Sequence, residues 1–287
     1  MKPVAFDLRQ PGTVDEAVEL LTGDGEVKVL AGGQSLVPLL NFRLARPELL
    51  VDINRISELQ YVREEAGGLA VGALTRQRAL ERSEPVARLA PLVAEALPLV
   101  AHVPIRNRGT LGGSLAHADA AAELCAVALA LDAVLVAVSR RGRREIPAAE
   151  FFLGPFTTAL EPDELLIEVR FPRLPASTGW AFEEVARRKG DFAMVGVAVV
   201  LGVGADGSVV QARLAYASMG PTPLRAGRAE AALTGRTAGP EAFAEAAELA
   251  ISELEPTDDI HADREYRLHV ARVLTRRALA RALERAR

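Results

Sequence analysis

Cysteine is almost missing from this chain: Cys125 stands alone among 287 residues. An intrachain disulfide is therefore excluded, as is any cysteine-ligated cluster built by this polypeptide alone. Histidine is nearly as scarce. His102, His117, His261 and His269 are scattered, and His261 and His269 stand eight residues apart instead of at the i, i+4 spacing of a helical metal pair. No metal site of the chain's own is expected. Long apolar runs are missing too. The longest, Phe192 to Val203, is broken by Gly196 and Gly202, short of the roughly 20 residues that a membrane helix needs. Its valine content marks a buried strand instead. Met1 to Gln10 has neither the basic start nor the apolar stretch of a secretion signal, which makes a cytoplasmic location the expectation. An excess of one charge is also lacking: the net charge is −4 with basic residues dispersed among acidic ones, which argues against a nucleic-acid binder.

What is present reads as an α+β chain of two domains. Thr13 followed by Glu16 forms a capping box for a helix over Thr13 to Leu21, with Gly23 as its stop. Val27 to Leu30 is a short strand, Ser35 to Leu44 a helix and Leu49 to Ile53 a second strand. Leu59 to Glu64 and Leu69 to Ala73 flank Gly67-Gly68 as a hairpin. Thr75 is placed to cap a helix reaching Ser83, and Pro91 to Val100 forms another. After a loop over Ala101 to Gly113 come an alanine-rich helix, Ala120 to Ala130, and strands at Ala133 to Ser139 and Glu164 to Phe171, the last closed by Pro172. Pro175 within Arg173 to Thr178 marks a domain boundary. Beyond it lie three strands, Trp180 to Ala186, Phe192 to Val203 and Ser208 to Ser218, with Asp206-Gly207 turning the last pair. Three helices follow: Arg225 to Leu233, Pro240 to Leu254 and Asp263 to about Arg285. Strands followed by helices imply an α+β C-terminal domain.

Two glycine-centred segments carry the chemistry. Leu30-Ala31-Gly32-Gly33-Gln34-Ser35-Leu36 joins a strand to a helix, and Thr110-Leu111-Gly112-Gly113-Ser114 follows the basic stretch Arg106-Asn107-Arg108. Paired glycines admit positive φ and expose successive amides with no Cβ in the way. Such a nest can hold a diphosphate, and Ser35, Thr110 and Ser114 add hydroxyl donors. Neither segment has the spacing of a GxGxxG fingerprint or a Walker loop. The residues alone leave two readings open, a pair of tight turns or a diphosphate site.

Three ordered motifs extend this reading. They are Ala31 to Leu36, then Thr110-Leu111-Gly112-Gly113-Ser114-Leu115-Ala116-His117-Ala118-Asp119, then Ala186-Arg187-Arg188-Lys189-Gly190-Asp191-Phe192-Ala193. Together the chain resembles the medium, FAD-binding subunits of molybdenum hydroxylases, such as carbon monoxide dehydrogenase and the xanthine dehydrogenase family, over essentially its whole length. The resemblance implies a two-part FAD-binding domain of the vanillyl-alcohol-oxidase (PCMH) type over 1–174, with subdomains 1–55 and 56–174. A smaller α+β flavoprotein C-terminal domain over 175–287 follows, with a three-stranded antiparallel sheet and a helical bundle. It further implies that Ala31 to Ser35 and Thr110 to Ser114 clasp the FAD diphosphate, with Leu30 and Leu36 also among the cofactor-binding residues. Asp119 and Glu123 would lie near its ribityl and adenosine portions, Leu165 or Leu166 would offer a backbone contact near the isoalloxazine, and Phe192 would lie near the ring. Phe192 stands where several relatives carry tyrosine, so any role of a hydroxyl there is in doubt. Leu111 replaces a common isoleucine at similar volume. Gln34 replaces an occasional histidine and takes no proton-transfer role.

By the same resemblance, the chain would bind FAD and pass electrons from a small iron–sulfur partner to quinone, NAD or oxygen. A large subunit would carry the molybdenum cofactor, in a dimer of heterotrimers. No catalytic side chain or metal is assigned to this chain, because the flavin supplies the chemistry. Two other readings stand beside it: a self-sufficient flavoprotein oxidase or reductase with its own small organic substrate, and a cofactor-free assembly module. The first would need acid/base groups over the flavin, and only His117 beside Asp119 suggests them; a hydrogen-bonded loop histidine is the plainer account. Cys125 reads as a core filler and Trp180 as a packing anchor. Arg187 and Arg188 could steer a partner, although such charges are usually solvated. The arginines from Arg264 to Arg287, interleaved with Glu265 and Glu284, read as a solvated helix face.

Overall fold

A computed structural model describes residues 1–23 and 25–286; Arg287, the last of the C-terminal arginines, lies outside them. The chain builds three principal sheets in sequence. The first has three parallel strands, with Leu49–Asp52 between Asp7–Arg9 and Val27–Leu30. Parallel neighbours require crossovers, supplied here by helices Val14–Leu21 and Leu36–Asn41. Thr13 caps the first helix by accepting the Glu16 amide at 3.2 Å, but the Glu16 carboxylate reaches back to the amide of Gly12, one residue beyond the expected box. Gly23 is not the left-handed stop: the helix closes at Thr22, and Gly25 takes the positive φ of 92°. The second helix is shorter than expected because Arg43 turns left-handed, at φ 58°, and ends it.

The middle sheet is antiparallel, ordered Val62–Glu65, Gly68–Gly72, Leu165–Pro172, Val134–Ser139, Gly142–Pro147. Pro172 is the last residue of its strand, paired with Gly68. One face of the third strand, through Leu165 and Ile167, packs on Val18, Leu21 and Val51 of the first unit. The other, through Leu166 and Val169, faces a core built around helix Glu123–Ala130, all eight residues of which are buried. That helix begins three residues later than expected. Thr75 does not cap a helix: its hydroxyl bonds both the amide and carbonyl of Tyr61, and the helix starts at Gln77. The expected loop over 101–113 contains helix Val103–Arg106 and the start of helix Leu111–His117.

Residues 173–177 lead into the third sheet, Thr178–Ala186, Ala193–Val203, Val209–Ala217 and Leu224–Arg225, antiparallel throughout. The two-residue Leu224–Arg225 makes it four-stranded, not three. Strand Ala193–Val203 is buried on both faces, which explains its unbroken apolar run. Val197, Val199 and Leu201 face the C-terminal helices, while Ala198 and Val200 face the middle core. The turn at Asp206-Gly207 forms as expected, with Gly207 at φ 81°. Helices Gly227–Leu233, Pro240–Ile251 and Arg264–Ala286 cover the outer face. The last comes so close that a Cβ on Gly179 would lie 1.7 Å from the Ala282 carbonyl oxygen. Arg281 and Arg285 on it reach Glu95 at 2.8 and 2.5 Å, and Arg285 also covers the Trp180 ring. No described helix is long and apolar enough to cross a membrane.

Candidate functional site

Strand Val27–Leu30 ends where Leu30 pairs with Asp52. The chain then turns through Gly33 at φ 75°, a conformation that costs a residue with a Cβ about 1–2 kcal/mol. Among the described residues, none of the amides of Gly32, Gly33, Gln34 and Ser35 finds an acceptor, and the Ser35 hydroxyl makes no cap bond. Gln34 folds back, its side-chain amide donating to the Gly32 carbonyl at 3.2 Å. Asn54 anchors the segment by donating to the Ala31 carbonyl at 2.8 Å. Successive unpaired N–H groups at one bend form a donor nest, and the residues present suit an anion of diphosphate size.

The second segment is built differently. Thr110 is the N-cap of helix Leu111–His117, accepting the Gly113 amide at 3.0 Å. The Leu111 amide donates to the Thr75 carbonyl at 3.1 Å, and that of Gly112 to the Ala73 carbonyl at 2.9 Å. Neither Gly112 nor Gly113 has positive φ. The expectation of a second amide-lined bend is thus corrected: these donors are taken, because the segment is docked against residues 73–75. Glycine is needed at 112 for close approach, since a Cβ there would lie 2.5 Å from that of Ala73. The hydroxyl proton of Thr110 and the half-buried Ser114 side chain are what this segment can offer a ligand.

The two segments meet. A Cβ on Gly32 would lie 2.4 Å from the Arg108 carbonyl oxygen and 2.9 Å from the Gly109 Cα, and one on Gly113 would touch the Ala31 side chain at 3.8 Å. The free amides of one segment and the hydroxyls of the other are therefore brought side by side.

Around it, the remaining candidates separate. Asp119 accepts the Ala121 amide at 2.9 Å, and Glu123 begins the next helix, buried. Burial, and then the nearby Asp119, pushes the Glu123 carboxyl up to about 7. Across from it, burial and the Glu123 charge push Glu184 up to about 8, and Glu184 Oε2 has no hydrogen-bond partner. Leu165 and Leu166 are both buried, with their side chains in opposite cores, so only their main chain can face a ligand. Phe192 is 66% exposed. It follows a basic turn in which Gly190, at φ 87°, packs against His102 and the Ala101 carbonyl. Arg187 and Arg188 are exposed. Of the basic stretch, Arg106 is buried and occupied by Glu81 and the carbonyls of Val100 and Ala101, whereas Arg108 is exposed.

No hydrogen bond joins His117 to Asp119 among the described residues. The His117 ring stacks on Phe156 at 5.1 Å, and burial lowers its pKa. It is a packed ring with no hydrogen-bonded acid/base partner among the described residues. Cys125 is fully buried, its thiol pushed up by that burial and directed at the Ser114 carbonyl at 3.8 Å. Sequence reasoning missed Asn54, Arg76 and Glu184. Asn54 had a local signal, because Asp52 two residues before it forms an Asx turn with its amide at 3.0 Å. Arg76 and Glu184 had none, since the partners of Arg76 and the Glu123 charge that acts on Glu184 lie far along the chain.

Comparison with known proteins gives the geometry a context. Residues 4–174 match the family described as the FAD binding domain in molybdopterin dehydrogenase, and residues 180–282 match the CO dehydrogenase flavoprotein C-terminal domain. The alpha subunit of the 6-hydroxypseudooxynicotine dehydrogenase complex of Paenarthrobacter nicotinovorans is 45% identical, over 100% of this chain and 97% of its own. A solved chain of carbon monoxide dehydrogenase from Hydrogenophaga pseudoflava superposes with a TM-score of 0.96 at 43% identity, covering 99% of each chain. One of quinoline 2-oxidoreductase from Pseudomonas putida 86 does so at 0.94 and 41% identity, covering 100% of this chain and 99% of its own.

Proposed function

The chain belongs to the FAD-binding subunit family of the molybdopterin dehydrogenases, whose members serve in multi-subunit oxidoreductases, and from that premise we propose how it holds its cofactor and what it exchanges electrons with. Residues 31–35 and 110–114 would hold the diphosphate of FAD. The amides of Gly32, Gly33, Gln34 and Ser35 would supply donors to it, and the hydroxyls of Ser35, Thr110 and Ser114 would complete the grip. Fixed amide dipoles neutralise the anion without titrating and without reorganising. Asp119 and Glu123 face the polar middle of the cofactor, and the main chain at Leu165 or Leu166 and the ring of Phe192 flank its flavin end. When bound, FAD supplies reversible electron transfer, accepting electrons singly and passing them on in pairs.

Electrons come from the iron–sulfur clusters of a small partner subunit and leave to quinone, NAD or oxygen. A large subunit carries the molybdenum cofactor, and the assembly is a dimer of heterotrimers. The FAD-binding domain spans 1–174 and the C-terminal domain 175–287. A single buried thiol suits the cytoplasm, the location this reading carries. Relatives named for a hydroxylated nicotine derivative, carbon monoxide and quinoline support substrate choice outside this subunit.

The convergence of unpaired amides at 32–35 on the segment at 108–113 is the observation that carries the reading. A self-sufficient oxidase is supported less, because no hydrogen bond joins its candidate acid/base pair His117–Asp119 among the described residues. The full chain is expected to bind FAD stoichiometrically and turn yellow, to stay oxidised with small organic substrates alone, and to bleach when the partner subunits and their substrate are added. A colourless chain that rejects FAD, or bleaching by an organic substrate without partners, overturns it.

A further inference from the structure

Two arginines stand where the glycine segments touch, and one of them joins the segments. Arg76 Nη1 donates to the Arg108 carbonyl at 2.6 Å, the same oxygen that closes on Gly32. Its Nη2 donates to Asn54 Oδ1 at 2.7 Å, while Asn54 Nδ2 donates to the Ala31 carbonyl at 2.8 Å. One planar guanidinium, with the Asn54 side chain as its relay, therefore links residue 108 on one wall to residue 31 on the other. Asp52 fixes the relay from behind, accepting from the Asn54 amide and from Gln10 Nε2 at 3.0 and 2.9 Å. Arg76 bonds a carbonyl and a neutral amide oxygen, so its charge is not cancelled in direct contact. Burial, and then Arg108, lower its pKa, and only Asp52 acts in the opposite sense.

We propose that Arg76 is the positioning residue of the diphosphate site: its fork sets the spacing between the two glycine segments, and its charge, with that of Arg108, attracts the anion. The inference rests on the flavin reading above. A fork with two fixed donors holds the Arg108 carbonyl and the Asn54 side chain at once, and Asn54 holds the Ala31 carbonyl in turn; a lysine ammonium on a flexible stem does not fix two acceptors in this way. The charge of a group this close to the bend adds long-range attraction that salt screens.

The test is FAD titration of the full-length apoprotein across a series of salt concentrations, with the apoprotein Tm as the control. Arg76→Met is expected to weaken FAD on the order of 10-fold and to flatten the salt dependence. Arg76→Lys should keep the salt slope yet remain roughly threefold or more weaker than the native chain, because the charge survives and the fork does not. Should Arg76→Met not fold, Asn54→Ala takes its place: it breaks the relay to Ala31 while leaving the charge, so weaker binding with an unchanged slope is expected. An Arg76→Met chain matching native affinity or native salt slope overturns the proposal, as does Arg76→Lys matching the native chain throughout. A native chain that takes up no FAD at any salt concentration sinks the flavin reading and this inference with it; native binding alongside indifferent variants sinks this inference alone.

Discussion

The Gly-Gly pairs at 32–33 and 112–113 look alike as letters and do opposite work. At the first, Gly33 takes a left-handed φ and the amides around it stay free. At the second, the backbone is helical, the amides are spent on Ala73, Thr75 and Thr110, and glycine is present because another backbone lies against it. In the proposed site the first pair supplies the ligand surface, and the second brings the opposing wall close to it. On that proposal the diphosphate grip rests on one bend with free donors and one docking point, not on two equivalent nests.

Substitutions can break this distinction. Gly112→Val should be the most damaging, because its side chain would enter the space of Ala73. A loss of about 3 kcal/mol or more, seen as a fall in Tm of the apoprotein before any cofactor is added, is expected. A Gly112→Val chain of native Tm that has lost only FAD affinity would show that the second segment is a nest after all. Gly33→Ala should do the reverse. The left-handed φ disfavours it by about 1–2 kcal/mol, so FAD affinity should drop on the order of 10-fold while the Tm falls by only a few degrees; a titration with a matched melting curve decides it.

Thr110→Val removes the hydroxyl that accepts the Gly113 amide and that can also face the ligand. A destabilisation of about 1 kcal/mol is expected, with Thr110→Ser restoring both stability and binding. If Thr110→Ser binds FAD no better than Thr110→Val, the hydroxyl has no part in the grip.

The smallest effect concerns pH. Amides at 32–35 do not titrate, whereas the second segment leads to Glu123 and Glu184, raised to about 7 and about 8. A carboxyl whose folded pKa lies above its unfolded value contributes stability that is complete below the unfolded pKa, near 4.5, and is lost as pH rises through the folded one. The apoprotein Tm should therefore decline between about pH 5 and pH 8. Glu184→Gln, neutral throughout, should flatten the decline and gain roughly 2–4 °C at pH 8. A Tm profile identical in the two chains would show that the Glu123–Glu184 carboxyl pair is not strained.

Legibility followed the range of the forces. The Thr13 cap, the Asp206-Gly207 turn and the doubly buried strand over Ala193–Val203 were readable because their causes lie within a few residues. Helix Val103–Arg106 escaped notice because its four residues hold no period, and strand Gly142–Pro147 because five of its six residues are exposed and only Ile146 is buried. Thr75 looked like a cap and instead bonds Tyr61, 14 positions away. The free bend at 31–35 was visible as a strand–glycine–helix junction. That the amides of 111–113 were already taken was not, because their acceptors come from residues 73 and 75 or from a side-chain rotamer.

By itself the sequence determined the family, the element types of most of the chain, the absence of any cysteine-held cluster and the two places where glycine matters. Those follow from local patterning and from residue chemistry that no fold can alter. Only the tertiary structure decided that the two glycine segments share one surface, which of them keeps its donors, and that Arg76 and Asn54 tie the walls together. Apart from the Thr110 cap on Gly113, each of these is a contact between residues more than 20 positions apart, set by how the parallel unit docks on the antiparallel sheet, and such contacts leave no period or spacing to read.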